Sequence, residues 1–405
     1  MAVGKGELPN FHVIDGVRLG VAKSGIKYQD RKDLVVFELI EGSTCAGVFT
    51  KNAFCAAPVV LSKKNLAAGA PRYLLINTGN ANAGTGAQGM KDALECCQAL
   101  SELAGVDSHA ILPFSTGVIG EKLPVTAIID GLPAALTALD ESAWADAAEG
   151  IMTTDTRPKG ASKVIDIEGH QVSISGISKG AGMIMPNMAT MLGFVATDAN
   201  IDQVLLQELL TECANLSFNR ITIDGDTSTN DSCMLIATGK SEAPKLERGS
   251  AALEQFTVAL KAIFMELAQA IVRDGEGATK FVSVVVEGAQ SQQEALDVAY
   301  TVAHSPLVKT ALFACDPNWG RILAAVGRAG LAELDLDAIV IDLDEVCIVR
   351  DGGRDPDYTE ERGQEVMNRE EITIRIQLGR GDSAETIWTT DLSHEYVTIN
   401  AEYRT

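Results

Sequence analysis

Along the chain, short apolar runs punctuated by turn residues alternate with longer stretches of helical period. Residues 34–40 form a strand-length apolar run, and 45–50 and 73–77 read as two further strands. A helix is expected over 90–103 and an Ala-rich one over 134–150, entered through Pro133. Residues 161–177 read as a hairpin turning at Gly169, and 191–196 as a short buried strand. Further helices are expected over 203–216, over 255–273 with Gly275 as C-cap, and over 293–313, with a turn at 316–321 leading into another. Strands are expected over 281–287, 338–342 and 346–349, and 372–378 alternates with period two, the mark of a half-buried strand. This mixture predicts an α/β chain built as α+β layers, and 405 residues suffice for two lobes.

Composition narrows the picture. The formal net charge of −22 argues against nucleic acid and anionic membranes as partners, since both need a basic surface. The first residues carry no apolar signal-peptide core, and no window approaches 18 uninterrupted apolar residues, so a cytoplasmic chain without a membrane span is expected. The eight cysteines are scattered, in no zinc-ligand spacing, and read as buried thiols of a reducing compartment. No metal site is suggested, and the five histidines sit in no GxSxG or Cys-His pattern.

The oddest stretch is 179–194, KGAGMIMPNMATMLGF. It is apolar, yet two glycines and a proline fall in its first eight residues, which neither a buried helix nor a central strand would choose. Ala189 followed by Thr190, at the entry to a strand, has the composition of a self-cleaving bond. The Thr190 hydroxyl would attack the Ala189 carbonyl, the amide would become an ester, and water would release a new N-terminus on Thr190. That residue would then carry a hydroxyl nucleophile and an α-amine of pKa about 7.7–8, able to act as its base. A threonine opening a buried strand is equally what β-propensity places there, and Met183, Met185, Met188 and Met191 are ordinary core fillers.

Other loops carry candidate chemistry beside bland readings. Residues 78–89 contain a formal GxGxxG at Gly84, Gly86 and Gly89, but the strand ends seven residues early and the region near Asp107 is loop-like rather than the end of a second strand, so a backbone-rich loop into the 90–103 helix is the expected reading and an NAD-linked α/β protein the alternative. Thr116 beside Gly117 offers a hydroxyl and an amide to one oxygen, the composition of an oxyanion hole or of a simple turn. Thr153, Thr154 and Thr156 form a hydroxyl cluster more typical of capping. Asp224, Asp226, Ser228 and Asn230 imitate the start of a calcium loop, which then fails at Thr229 and Leu235; calcium is rejected. Lys179, flanked by glycines, suits a substrate carboxylate, and Glu276 a substrate ammonium, although each alone reads as a solvated charge.

The central block, together with 115–120 (STGVIG) and 275–280 (GEGATK), resembles the ornithine acetyltransferase (glutamate N-acetyltransferase) family of arginine biosynthesis, nearly end to end. The resemblance implies a two-lobed fold that is not a Rossmann domain, cleaved into chains 1–189 and 190–405 that pair as an α2β2 assembly. It implies Thr190 as nucleophile, Thr116 and Gly117 as oxyanion hole, and Thr153, Lys179, Thr190, Glu276, Asn400 and Thr405 as substrate contacts, the last two on a C-terminal tail that folds back. The implied reaction moves the acetyl group of N2-acetylornithine to glutamate through an acetyl-threonine ester, with no cofactor. Some members also take acetyl-CoA as donor. A self-processing amidase or aminopeptidase on a related scaffold is the alternative.

Overall fold

The computed structural model describes residues 2–185 and 191–403. Packing divides the chain into a larger unit, 6–219 with 226–271, and a smaller one made of the described residues of 1–5, 220–225 and 272–405. This division differs from the covalent one expected at 189/190, because the larger unit takes strands from both sides of that bond.

The strands of the larger unit are β1 (Val17–Ala22), β2 (Leu34–Leu39), β3 (Thr44–Phe49), β4 (Tyr73–Asn80), β5 (Ile111–Val118), β6 (Lys159–Ile167), β7 (His170–Lys179), β8 (Leu192–Thr197) and β9 (Ser232–Ala237). They form a four-stranded sheet, β1-β2-β4-β5, and a five-stranded sheet, β3-β9-β8-β7-β6. Pairing is antiparallel except for β4 with β5 and β8 with β9. Strand alternation explains how the sheets stack: Val35, Phe37 and Leu39 of β2, Leu74 and Ile76 of β4, and Leu112 and Phe114 of β5 face Ile177, Leu192, Phe194, Met234 and Ile236 across one shared core. Phe194 lies at its centre, with ring centroids 5.3 Å from Phe37 and 5.2 Å from Phe114.

Helices cover the outer faces. Those of this unit are α1 (Ala57–Ala68), α2 (Gly86–Ala104), α3 (Val125–Thr137), α4 (Trp144–Gly150), α5 (Gln203–Leu216) and, through residue 271, α6 (Ala251–Arg273), of which α4 instead packs Trp144, Ala147 and Ala148 into the core shared by the two sheets. Leu34, Val36, Tyr73 and Leu75, on the reverse face of the first sheet, pack with Cys96, Leu100, Ile128 and Leu132 of α2 and α3. On the second sheet, α6 lies close enough for Ser178 Oγ to donate to the Leu267 carbonyl at 3.3 Å. The result is an α/β/β/α sandwich, and it accounts for strands such as β2 that are apolar on both faces. By length and apolar content α6 would pass for a membrane span. It carries Glu254, Lys261 and Glu266, however, and buries Phe256, Leu260, Phe264 and Leu267 in this unit.

The smaller unit holds one sheet, formed by β10 (Phe281–Ala289), β11 (Val340–Leu343), β12 (Val346–Arg350), β13 (Gly353–Arg354), β14 (Glu371–Gln377) and β15 (Ser383–Thr390), in the order β13-β12-β11-β14-β10-β15. Its helices are α7 (Gln292–Ala303), α8 (Pro306–Phe313), α9 (Trp319–Gly327), α10 (Glu360–Met367) and α11 (His394–Ala401). Val282, Val284, Ile372, Ile374 and Ile376 pack against Val298, Val302, Leu312 and Ile322. As the period-two pattern predicts, Ile372, Ile374 and Ile376 are buried in alternation along β14.

Several boundaries differ from expectation. The hairpin of β6 and β7 turns through Glu168 and Gly169, both at positive φ, as a two-residue loop requires. The helix expected over 134–150 is two helices. Pro133 lies inside α3 rather than at its start, and the chain leaves helix after Thr137 because Asp140 exchanges backbone hydrogen bonds of 3.0 Å with Leu19. The helix expected over 293–313 breaks at Ser305, whose hydroxyl caps α8 with Pro306 in its first turn. Gly86 and Gly89 of the GxGxxG lie within α2. Residues 394–401 of the tail form α11.

Replacing Phe194 by Ala should cost about 3–5 kcal/mol, the usual range for emptying a buried aromatic site. Urea unfolding checks this: the midpoint should fall with an unchanged slope, whereas Val258→Ala, at a position 69% exposed, should move it little.

Candidate active site

The ends of β5 and β7 and the turn after α4 bring three of the expected residues together. Lys179, the last residue of β7 and 4% exposed, donates from Nζ to Thr153 Oγ1 at 2.8 Å and to Thr116 Oγ1 at 3.2 Å. A lysine ammonium can only donate, so each threonine receives it through oxygen lone pairs and keeps its own hydroxyl proton for another acceptor. Thr116 is thereby left with the donor that an oxyanion hole needs.

Asp155, which sequence reasoning did not single out, organises this cluster. Its side chain is wholly buried, with Lys159 Nζ at 2.6 Å and Lys179 Nζ at 4.0 Å. It also accepts the Gly180 N–H at 2.7 Å and the Thr153 N–H at 2.9 Å. Burial alone would raise its pKa, but the charges of Lys159 and Lys179 outweigh burial and hold the carboxyl well below the usual carboxylate range. Arg31 fixes the same turn by donating to the Met152 and Thr153 carbonyls, each at 2.8 Å. The available signal was an acid amid threonines four residues before Lys159, meaningful only once Lys179 is known to arrive there.

Gly117 follows Thr116 on β5 and is paired with Gly79 of β4. Its φ is +134°, and a Cβ there would stand 2.3 Å from the Gly79 carbonyl carbon and 2.5 Å from the Asn80 nitrogen, so no side chain fits. The segment is held from behind by Asn230, whose Nδ2 donates to the Ala81 carbonyl at 2.6 Å and the Ser115 carbonyl at 3.0 Å. The 220–232 block, to which the sequence assigned no role, thus supports the Thr116–Gly117 loop.

Ala189 and Thr190 lie outside the described residues, as does Thr405. Met191, bonded to Thr190, is anchored on both sides: its N–H donates to Asp231 Oδ1 at 2.9 Å and its carbonyl accepts the Ser232 N–H at 3.1 Å. Asp231 is buried, and burial raises its carboxyl well above the usual range, against the lowering influence of the Met191 N–H, the Ser228 hydroxyl and the more distant Lys179 charge.

In the smaller unit, Glu276 and Asn400 meet directly, Asn400 Nδ2 donating to Glu276 Oε2 at 2.7 Å. Gly275 N–H closes α6 on the Val272 carbonyl at 3.0 Å, but the positive φ expected of a C-cap glycine falls at Gly277 (+67°) instead. A Cβ on Gly277 would lie 2.5 Å from Ser393 Oγ and 2.6 Å from the Tyr396 nitrogen, so this glycine lets α11 sit on the Glu276 turn. Asp391 clips the turn by accepting the Thr279 and Lys280 N–H groups at 2.8 and 3.0 Å. Tyr396 holds α11 by donating to Asp224 at 3.1 Å.

None of the cysteines is bonded to another, and burial pushes the thiols of Cys45, Cys96 and Cys213 up to about 12, which makes them inert rather than nucleophilic. Lys309 is buried in the smaller unit, donating to Thr389 Oγ1 at 3.0 Å and to the Thr390 carbonyl. Burial pushes it down to about 8, with Asp391 and Asp224 opposing. Between that value and the unfolded one near 10.4 the unfolded chain binds more protons, so this lysine makes stability rise with pH across that window and adds a constant cost below it. Urea unfolding at stepped pH should show that contribution as a difference between wild type and Lys309→Met; parallel curves would contradict it.

The model of the ArgJ family matches residues 18–405. The arginine biosynthesis bifunctional protein ArgJ of Pseudomonas fluorescens (strain Pf0-1) is 62% identical over 408 residues, covering 100% of both chains. That of Methylococcus capsulatus is 59% identical, covering 97% of this chain and 96% of its own. The crystal structure of the Bacillus halodurans arginine biosynthesis bifunctional protein ArgJ aligns at 40% identity and a TM-score of 0.50, over 52% of this chain and 99% of that one. A match that runs from β1 to the C-terminus takes in the Lys179 cluster, the Thr116–Gly117 loop and the Glu276–Asn400 pair, and this chain belongs to the ArgJ family and is an acyltransferase.

Proposed function

We propose that the chain cuts itself between Ala189 and Thr190 and then moves the acetyl group of N2-acetylornithine to glutamate through an ester on Thr190. The observation that carries this reading is the buried Lys179 ammonium bound to the Thr116 and Thr153 hydroxyls, on the sheet whose strand β8 begins two residues after Thr190.

In the transfer, Thr190 Oγ1 attacks the acetyl carbonyl of acetylornithine while its own α-amine takes the hydroxyl proton. The Thr116 hydroxyl and the Gly117 N–H stabilise the oxygen that becomes negative; a single such donor contributes about 10²–10³ in rate. Ornithine leaves and glutamate enters to accept the acetyl group, so kinetics should be ping-pong. Both amino acids share an α-carboxylate and an α-amino group. Lys179 and Thr153 suit the first, and Glu276, held by Asn400, suits an ammonium, with Thr405 as a further contact. The name bifunctional borne by the relatives supports acetyl-CoA as a second donor, and the cleaved chains are proposed to assemble as α2β2.

A Thr190→Ala chain should remain whole and lose transfer activity. Intact mass under denaturing conditions and an ornithine-release assay check both; wild type should give two polypeptides, the second beginning at Thr190. An uncut Thr190→Ala chain that still transferred acetyl groups would overturn the mechanism.

A further inference from the structure

Lys309, on α8 and 4% exposed, keeps an ammonium inside the smaller unit among neutral oxygens. Its Nζ donates to Thr389 Oγ1 at 3.0 Å, to Thr390 Oγ1 at 3.4 Å and to the Thr390 carbonyl. Three donors thus meet three acceptors, while the carboxylates of Asp391 and Asp224 act on the ammonium through their field. An apolar side chain of similar length would fill this space without the desolvation that an ammonium suffers. What the ammonium adds is a set of directed bonds to one short piece of chain.

That piece is the place where the ladder of β15 ends. Thr389 and Thr390 still pair with Val282 and Phe281 of β10, but residues 391 and 392 lie past the strand. Lys309 spans this end. Its carbonyl accepts the Leu392 N–H at 3.2 Å, so one residue grips the segment on both sides of Asp391. Asp391 in turn accepts the Thr279 and Lys280 N–H groups and, on Oδ2, the Thr279 hydroxyl at 2.6 Å. Ser393, two residues further, caps α11 by accepting the Tyr396 N–H at 3.3 Å. Both supports of Glu276 therefore start from 389–393. The turn that carries its backbone hangs on Asp391, and Asn400, which donates to its carboxylate at 2.7 Å, stands on α11. Glu276 is 8% exposed, and a shift of about 1 Å in a carboxylate so enclosed is enough to weaken its contact with a ligand.

We infer that Lys309 is a positioning residue for the substrate ammonium: by fixing 389–392 it sets, through Asp391 and α11, where Glu276 presents its carboxylate. This inference rests on the reading above in which Glu276 takes that ammonium.

Lys309→Met keeps the length of the side chain and the backbone bond to Leu392, and deletes the three ammonium bonds. Steady-state transfer at neutral pH, with thermal melting as a check on folding, compares it with wild type and Glu276→Gln. Glutarate, which has both carboxylates of glutamate but no ammonium, serves as a competitive inhibitor. The Met variant should keep kcat within about twofold while KM for glutamate rises about tenfold, or ~1.4 kcal/mol of binding, and Ki for glutarate stays unchanged. Equal rises in both constants would mark a general loosening and overturn the inference. So would a folded Met variant with unchanged KM beside a Glu276→Gln variant whose KM rises. If Glu276→Gln also leaves KM unchanged, the ammonium reading of Glu276 falls and the inference falls with it. Should Lys309→Met not fold, Thr389→Val, which removes one acceptor at nearly constant volume, decides on the same two constants. A rise in KM for glutamate alone supports the inference, and no difference between the two constants overturns it.

Discussion

One buried carboxylate holds the site together. Asp155 sits with Lys159 at 2.6 Å and Lys179 at 4.0 Å, and two backbone N–H groups complete its shell. Ammonium groups are kept inside a protein only when their desolvation is offset, and removing one partner of such a buried pair typically costs about 3–5 kcal/mol because the other is stranded. Asp155 therefore does more than stabilise. It allows a lysine to stand buried at the end of β7, where its ammonium reaches the Thr153 and Thr116 hydroxyls. In a chain of formal net charge −22 this creates a local cationic centre suited to a carboxylate or a developing oxyanion.

The sandwich delivers these groups with little freedom. Thr116 and Gly117 end β5 in the first sheet, whereas Lys179 ends β7 and Met191 precedes β8 in the second. The aromatic contacts of Phe194 with Phe37 and Phe114 bind those sheets to each other, so the distance between the Thr116–Gly117 loop and Lys179 is set by a packed core. Parallel pairing of β4 with β5 and of β8 with β9 brings the crossover segments to the same strand ends. Asn230 and Asp231, which directly precede β9, then reach the backbone on both sides of the site.

How much of this the sequence disclosed follows from the kind of signal involved. β2 and β8 were legible because strands covered on both faces read as unbroken apolar runs, and β14 because Ile372, Ile374 and Ile376 alternate with polar residues. The division of 134–150 was hidden, since the backbone pairing of Asp140 with Leu19 is a tertiary event with no local mark. The break at Ser305–Pro306 had a local mark, a capping serine before a proline, and was overlooked. Thr116, Thr153 and Lys179 stood out only through family resemblance; each alone was a turn threonine or a surface lysine. Asp155 and Asp231 went unmarked because the meaning of a carboxylate depends on what surrounds it: two lysines around one, the Met191 N–H and the Ser228 hydroxyl around the other.

The central claim is that Thr190 carries the acetyl group between the two amino acids. The measurement that bears on it most directly is the mass of the polypeptides after mixing with N2-acetylornithine in the absence of glutamate, followed by peptide mapping. The account predicts that the 190–405 chain gains one acetyl group, located on Thr190, and loses it when glutamate is added. An acetyl group found on another residue, or transfer to glutamate with no acetylated chain at any time, would contradict it.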